Sequence, residues 1–140
     1  MLALRYPTHE SLYFHNSLAS IIEHSFGYVR IDWHPVVIRS GELHEVYGQV
    51  LTLLRESGLN RILSDHQLRA PLMPDDQRWI VTDWVPRAVR ECGYARGALM
   101  QAHDVISQLT NRRITDQLPD RPLIRYFDDL HLAERWLLEA

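Results

Sequence analysis

The chain has 140 residues, of which 46% are hydrophobic and 24% charged, a balance typical of one globular domain and unlike that of a disordered segment. Its 15 arginines against 18 acidic residues leave a net charge of −3, which argues against nucleic-acid binding through phosphate neutralisation. A single cysteine, Cys92, excludes an intrachain disulfide and a thiolate metal site. No apolar run approaches the roughly 20 residues of a bilayer span. We therefore expect a cytoplasmic protein that does not bind membranes.

The first third of the chain predicts three strands. Apolar runs at 12–15 and 19–24 are each followed by turn-forming residues, and the run 28–34 alternates apolar and polar side chains. The second and third runs together are typical of a β-hairpin. Pro35, which lacks a backbone N–H, is expected to end the third strand.

Helices alternate with strands after that point. Apolar residues at helical spacing predict a helix over 40–57, capped by Ser40. A short strand is predicted at 61–65. A second helix is predicted over 74–92, with a kink where Pro86 cannot supply a backbone N–H.

The last third continues the alternation. It predicts a strand at 95–102, a short helix capped by Asp104, a loop over 111–122, a strand at 123–127 and a final helix capped at 128–129. Strands that alternate with helices favour parallel crossovers, and the initial hairpin adds antiparallel pairing. The expected fold is therefore a single α/β domain over residues 1–140. It has a mixed five- to six-stranded sheet and about four helices, and residues 1–10 are a candidate flexible segment.

Two segments resemble a known family. Residues 73–88, of sequence MPDDQRWIVTDWVPRA, are similar to the middle helix of small, uncharacterised bacterial STAS-like proteins, which have the anti-sigma-factor-antagonist fold. The ending 126–137 and the strands that close on Trp33 and Asp65 are similar to that group too. The resemblance covers roughly 11–138. It implies a STAS-like fold and a non-enzymatic regulatory module that contacts protein partners.

Regulated members of that fold carry a phosphorylatable Ser or Thr in an Asp-Ser-Ser/Thr-Gly type loop after a central strand. The corresponding loop here reads Asp65-His66-Gln67-Leu68-Arg69, with no Ser, Thr or Gly after the aspartate. The resemblance therefore implies an interaction module without an evident phosphorylation switch.

A second hypothesis places a ligand at the ends of the strands. Asp65 and His103 each follow a predicted parallel strand, and ligand sites of open α/β sheets gather at such ends. Arg69 follows Asp65 in the same predicted loop, and its guanidinium can bind a carboxylate or phosphate through two hydrogen bonds. These three residues predict a small-molecule site for an anionic metabolite, or a modest enzyme. The alternative for Asp65 is that its carboxylate braces the loop that follows through backbone amides. The alternative for the neighbouring pair His103-Asp104 is that Asp104 is only a helix cap.

A third hypothesis concerns the surface of the helix over 74–92. Trp79 lies on a flank with Asp83 and Arg87, and an aromatic residue beside arginine is typical of an interface anchor. These residues predict contact with a protein partner or with a second copy in a homodimer. The alternative is that Trp79 covers the edge of the sheet or the helix of residues 43–54.

Motifs for catalysis and cofactor binding are missing from the sequence. The 8 histidines show no metal-ligand spacing, and there is no nucleophile elbow or Gly-rich phosphate loop. Cys92 is predicted at a helix C-terminus, where the helix dipole disfavours a thiolate. We therefore predict no catalytic residue, no metal and no cofactor.

Overall fold

A computed structural model describes residues 9–139, so residues 1–8 of the candidate flexible segment lie outside the described chain. It contains one six-stranded sheet whose strands follow each other in sequence order. The first two strand pairs are antiparallel and the last three are parallel, which makes the sheet mixed. The strands are β1 (Glu10–His15), β2 (Ala19–His24), β3 (Tyr28–Trp33), β4 (Arg61–Asp65), β5 (Arg96–Met100) and β6 (Leu123–Phe127).

Four helical units accompany the sheet in the part of the chain that the structure describes. The expected α/β class, with its mixed sheet and about four helices, is therefore confirmed. Glu10, which the sequence assigns to the flexible segment, instead begins the first strand. The units are α1 (Ser40–Ser57), a continuous unit made of α2 (Pro74–Trp79), a π-helical stretch (Ile80–Trp84) and α3 (Val85–Cys92), then α4 (Val105–Asp116) and α5 (Leu130–Leu137). Within residues 9–139, none of these helices combines the length and the apolar composition needed to cross a bilayer.

The strand order determines where the helices pack. The parallel strands β3 to β6 are added one after another in the same direction across the sheet. Because crossovers between parallel strands are right-handed, the helices that connect them lie on the same face of the sheet. Accordingly α1, the α2–α3 unit and α4 all contribute to one core with Ile31, Trp33 and Ile62. α5 packs on the opposite face, where Ala133 and Leu137 are buried.

The α2–α3 unit departs from α-helical geometry at the place that proline predicts. The backbone N–H of Val85 donates to the Ile80 carbonyl, five residues earlier, which is the π-helical pattern. This widened turn directly precedes Pro86, which cannot donate to the chain before it. Trp84, at the end of the π stretch, is buried and donates from Nε1 to the Tyr47 carbonyl at 2.7 Å.

Two local predictions are wrong. The stretch 111–122 begins as helix, because α4 continues to Asp116. Ser40 does not cap α1: its hydroxyl donates to Oδ2 of Asp76 at 3.0 Å, and the residue before it occupies the cap position. In both cases a tertiary contact outweighs the local preference. Asn111, in the polar stretch, is buried against a neighbouring loop.

Candidate functional site

A partly open cavity lies between the sheet and the helices of its more crowded face. Its volume is about 60 Å³, which leaves room for only a few water-sized groups. Most of the wall is aliphatic or aromatic. Apart from tyrosines, its polar residues are Ser64, His66, Arg69, Asn111 and Thr115. A largely apolar cavity with a few convergent polar groups is the typical form of a small-molecule site.

Arg69 brings a charge into this cavity wall and is only 4% exposed. Its Nη1 donates to the Tyr47 hydroxyl at 3.2 Å, and its Nη2 donates to Oδ1 of Asn111 at 3.0 Å. The guanidinium carbon also lies 4.7 Å from the ring centroid of Trp33. All three partners are neutral. No carboxylate within residues 9–139 forms an ion pair with Arg69.

The loop after β4 holds Arg69 in place through its backbone. Asp65 Oδ1 accepts from the backbone N–H of Gln67 at 3.0 Å, so this carboxylate braces the start of the loop. The Arg69 N–H donates to the His66 carbonyl at 3.1 Å, which closes a turn. The Ser107 hydroxyl, from the first turn of α4, donates to the Arg69 carbonyl at 3.0 Å. The buried position of the guanidinium therefore depends on both the loop and α4.

His66 lies in the same wall and is 5% exposed. Its Nε2 is 2.8 Å from the Ser64 hydroxyl oxygen, which also accepts from Nε1 of Trp33 at 2.9 Å. The Nδ1 atom of His66 is buried and has no hydrogen-bond partner among the described residues. Buried polar atoms are nearly always paired, so this atom indicates a missing partner.

Hydrogen-bond counting favours the tautomer of His66 that carries its proton on Nδ1. The Trp33 N–H can only donate, so it occupies one lone pair of the Ser64 oxygen. If the Ser64 hydroxyl then donates to Nε2, only the Nδ1–H is left without a partner. The other tautomer would leave both the Ser64 hydrogen and the Nδ1 lone pair unpaired. Since each unpaired buried group costs about 1–3 kcal/mol, the favoured tautomer has an N–H donor at Nδ1.

The electrostatic environment keeps this histidine neutral. Burial lowers the pKa of His66 well below its usual value, and the nearby Arg69 charge lowers it further. An anion in the cavity would act in the opposite direction, because it would stabilise the protonated imidazole. The site therefore contains one permanent positive charge and one neutral donor.

Tyr94, which lines the cavity, packs closely against Gly97 of β5. Burial raises the pKa of the Tyr94 hydroxyl, so the group stays protonated. A Cβ added at Gly97 would overlap the Tyr94 hydroxyl oxygen and would lie 2.7 Å from Cδ1 of Ile124. The Tyr94 ring can occupy this position only because residue 97 has no side chain.

Replacement of Gly97 by alanine is expected to lower the free energy of unfolding by about 1–3 kcal/mol, because the new methyl group overpacks the contact with Tyr94. Urea denaturation measures the change. Gly48→Ala is the matched control: Gly48 lies inside α1, and a Cβ there meets nothing within 4 Å. That variant is expected to gain about 0.5–1 kcal/mol from helix propensity. An equal response of the two variants would contradict the close contact at Tyr94.

The three ligand residues that the sequence predicts do not all line one cavity, and a ligand site shared by them stays a prediction. Arg69 lines the partly open cavity, whereas His103 lines a second, larger cleft of about 350 Å³ at the carboxyl ends of β5 and β6. Asp65 lines neither, and its contact with Gln67 matches the alternative role of bracing the loop. Asp104 caps α4 by accepting from the Ser107 N–H at 2.9 Å. The other residues that line the larger cleft are Gln67, Met100, Gln101, Ala102, Gln108, Phe127 and Asp128.

The three predicted interface residues, all in the α2–α3 unit, differ in exposure: Asp83 is exposed, whereas Trp79 and Arg87 are partly buried. Trp79 is partly buried, and its ring stacks on the ring of His44 at 3.8 Å, so it covers α1 as the alternative interpretation expects. Asp83 is exposed, and Nε of Arg87 donates to Oε2 of Glu91 at 3.1 Å. A protein interface at Trp79, Asp83 and Arg87 stays a prediction.

Trp79→Ala is expected to lower the free energy of unfolding by about 2 kcal/mol, less than the 3–5 kcal/mol typical of a fully buried aromatic side chain. The loss comes from the contacts of the ring with His44 and Tyr47. Urea denaturation measures stability, and sedimentation velocity of the folded variant measures association. A folded variant that associates less than the parent protein would contradict a purely intramolecular role and would support the predicted interface.

Several residues of the cavity are not foreseen from the sequence as a site. Ser64 and His66 flank the predicted Asp65, but Tyr47 and Asn111 come from distant parts of the chain. One signal does exist: alternation in β4 places Ser64 on the same face as Ile62, which makes it a polar residue at a core position. No group of three or more His, Cys, Asp or Glu within residues 9–139 is placed to hold a metal ion.

Comparisons with known proteins identify no similar family, protein or structure. No protein-family model, curated protein or solved structure matches the chain. The STAS-like resemblance therefore stays a prediction, although the α/β class that it implies agrees with the structure. The geometry of the cavity carries the functional argument.

Proposed function

We propose that this domain is a small-molecule binding module that holds a small anion in the cavity beside Arg69. One observation carries the proposal: a guanidinium that is 4% exposed has only neutral partners among residues 9–139. Arginine stays protonated under all ordinary conditions, so its charge cannot be removed by titration.

The energetics favour a bound counter-ion. Burial of a charge costs several kcal/mol unless an opposite charge or several hydrogen bonds compensate for it. Tyr47 and Asn111 supply two hydrogen bonds, and Trp33 supplies a cation–π contact. These contacts leave the net charge in place. An anion beside the guanidinium would supply both the missing charge and acceptors for its remaining N–H groups.

A purely structural role for Arg69 is the competing interpretation, because the side chain links β3, α1 and α4. That interpretation accounts for the two hydrogen bonds. It does not account for the adjoining cavity of about 60 Å³ or for Nδ1 of His66, which has no partner among residues 9–139. A single small anion would account for both of these features.

Thermal denaturation tests the proposal, because a ligand that binds only the folded state raises the melting temperature. The probes are the sodium salts of formate, acetate and nitrate, with ionic strength held constant by a bulky sulfonate buffer. At least one small anion is expected to raise the melting temperature in a saturable way. The proposal fails if none of the three does so at concentrations up to ~100 mM.

The regulatory role implied by the family resemblance is compatible with this proposal, because a regulatory module can respond to a small ligand. The α2–α3 unit contributes Ile80, Trp84 and Val85 to the cavity wall, and it also carries the predicted interface residues. We therefore extend the proposal to a ligand that affects a partner surface. Sedimentation velocity with and without the bound anion tests this extension, which fails if association is the same in both conditions.

A further inference from the structure

We infer that the anion is a monocarboxylate of one or two carbons, whose two oxygens are shared between Arg69 and Nδ1–H of His66. This inference rests on the proposed anion site and specifies its ligand. Three features of the cavity carry it: the number of free donors, the apolar wall and the volume.

The donors suit the planar pair of oxygens in a carboxylate. Arginine has five N–H groups, and two of those of Arg69 are used by Tyr47 and Asn111. Arg69, with its remaining guanidinium donors, and His66, with its Nδ1–H, both line this cavity. A carboxylate commonly accepts from an arginine in bidentate fashion and has lone pairs left for one further donor.

The apolar wall argues for a ligand with a hydrocarbon part. Aside from the polar group around Arg69, the wall consists mainly of aliphatic residues from the sheet and α4, including Ile31, Ile62, Leu99 and Ile114. Inorganic phosphate or sulfate would present charged oxygens to this surface and would lose hydration there without compensation. A carboxylate with a short alkyl chain has one polar end and one apolar end, as the cavity does.

The volume limits the length of the chain. A cavity of ~150 Å³ holds the six heavy atoms of benzene, so about 60 Å³ suits a ligand of roughly two to three heavy atoms. Formate has three heavy atoms and acetate has four, so acetate requires only a small outward movement of the wall. The least buried lining residues, Thr115, Leu118 and Ile124, lie at the end of α4 and on β6. This side of the cavity is therefore the side where a slightly longer chain can be accommodated.

Calorimetric titration of the full chain with a graded series tests the inference. The ligands are formate, acetate, propionate, butyrate and pivalate, together with neutral acetamide, nitrate and phosphate. We expect formate and acetate to bind most tightly and butyrate and pivalate to bind at least tenfold more weakly. Acetamide has the shape of acetate without the charge, and it is also expected to bind at least tenfold more weakly than acetate.

Two substitutions at His66 test the shared donor. His66→Asn keeps an N–H near the position of Nδ1, whereas His66→Gln places its amide nearer to Nε2. We expect His66→Asn to keep acetate affinity within about threefold and His66→Gln to lose about tenfold. The carboxylate ¹³C resonance of labelled acetate is expected to shift on binding to the parent protein and to His66→Asn. Equal losses in the two variants would overturn the donor role of His66.

The outcomes separate this inference from the function on which it rests. If nitrate or phosphate binds and the short carboxylates do not, the anion site stands and the carboxylate assignment is wrong. If butyrate and pivalate bind as tightly as acetate, the size limit is wrong. If none of the anions binds, both the proposed function and this inference fail. The ligand series uses only the parent protein, so the test holds even if a His66 variant does not fold.

Discussion

Replacement of Arg69 by methionine is expected to abolish the binding of small anions while the protein stays folded. A hydrogen bond to a charged group contributes about 1.5–3 kcal/mol, so the loss of two such bonds predicts an affinity at least ~100-fold lower. Methionine has a similar length and no charge, and it adapts to irregular cavities. Thermal shifts with formate and acetate measure the loss, and circular dichroism confirms that the variant is folded.

The stability of this variant distinguishes a binding role from a purely structural one. Replacement of a buried charge by an apolar side chain is often neutral or stabilising, whereas breaking a compensated buried pair costs about 3–5 kcal/mol. The guanidinium of Arg69 lacks a counter-charge, but its removal leaves Tyr47 and Asn111 without a partner. We therefore expect the free energy of unfolding to change by no more than about 2 kcal/mol. A loss above that range would favour a structural role.

Arg96→Met is the matched control. Nη1 of Arg96 donates to the Trp136 carbonyl at 2.7 Å, and its guanidinium carbon lies 5.2 Å from the ring centroid of Trp136. This environment resembles that of Arg69 in its carbonyl-type acceptor and its aromatic neighbour, but Arg96 does not line the cavity. The Arg96 variant is expected to lose some stability and to keep its response to formate. Equal loss of the response in both variants would contradict a site at Arg69.

The elements of this fold could be predicted because each of them has a local signal. The alternation over 28–34 indicates β3, and apolar residues at helical spacing indicate α1. Pro86 indicates an irregular helix, and the π-helical stretch directly before it takes that form. In all three cases the relevant interaction is between residues that are close in sequence.

The cavity could not be predicted because its wall depends on contacts between distant residues. Arg69 is predicted from the sequence as an anion-binding residue near Asp65 and His103, because ligand sites gather at the ends of parallel strands, but Arg69 and His103 line different cavities. The burial of Arg69 depends on Asn111, which lies in a polar stretch that favours a loop. The hydrogen bond between Asn111 in α4 and the guanidinium of Arg69 stabilises both groups. The local sequence around either residue does not indicate this contact.

The buried side chain of His66 is expected to make the protein less stable in mild acid. In the unfolded chain His66 takes up a proton as the pH falls below about 6.5, whereas in the folded state burial and Arg69 hold its pKa well below that value. The unfolded state therefore binds more protons in this range. Stability is lost as the pH falls from 6.5 toward the folded pKa, by up to about 1.4 kcal/mol per pH unit. Above pH 6.5 this histidine contributes no slope.

Comparison with His66→Asn isolates this contribution, because burial also lowers the pKa of His24 and adds to the slope in the same direction. Urea denaturation between pH 5 and 8 is expected to show a shallower acid slope in the variant, by up to one proton. Saturating formate is expected to reduce the slope of the parent protein as well. A bound carboxylate stabilises the protonated imidazole, so it raises the folded pKa toward the unfolded value. If the slope is the same in the parent and the variant, His66 is not held neutral by its surroundings, and its role as the neutral donor of the cavity fails.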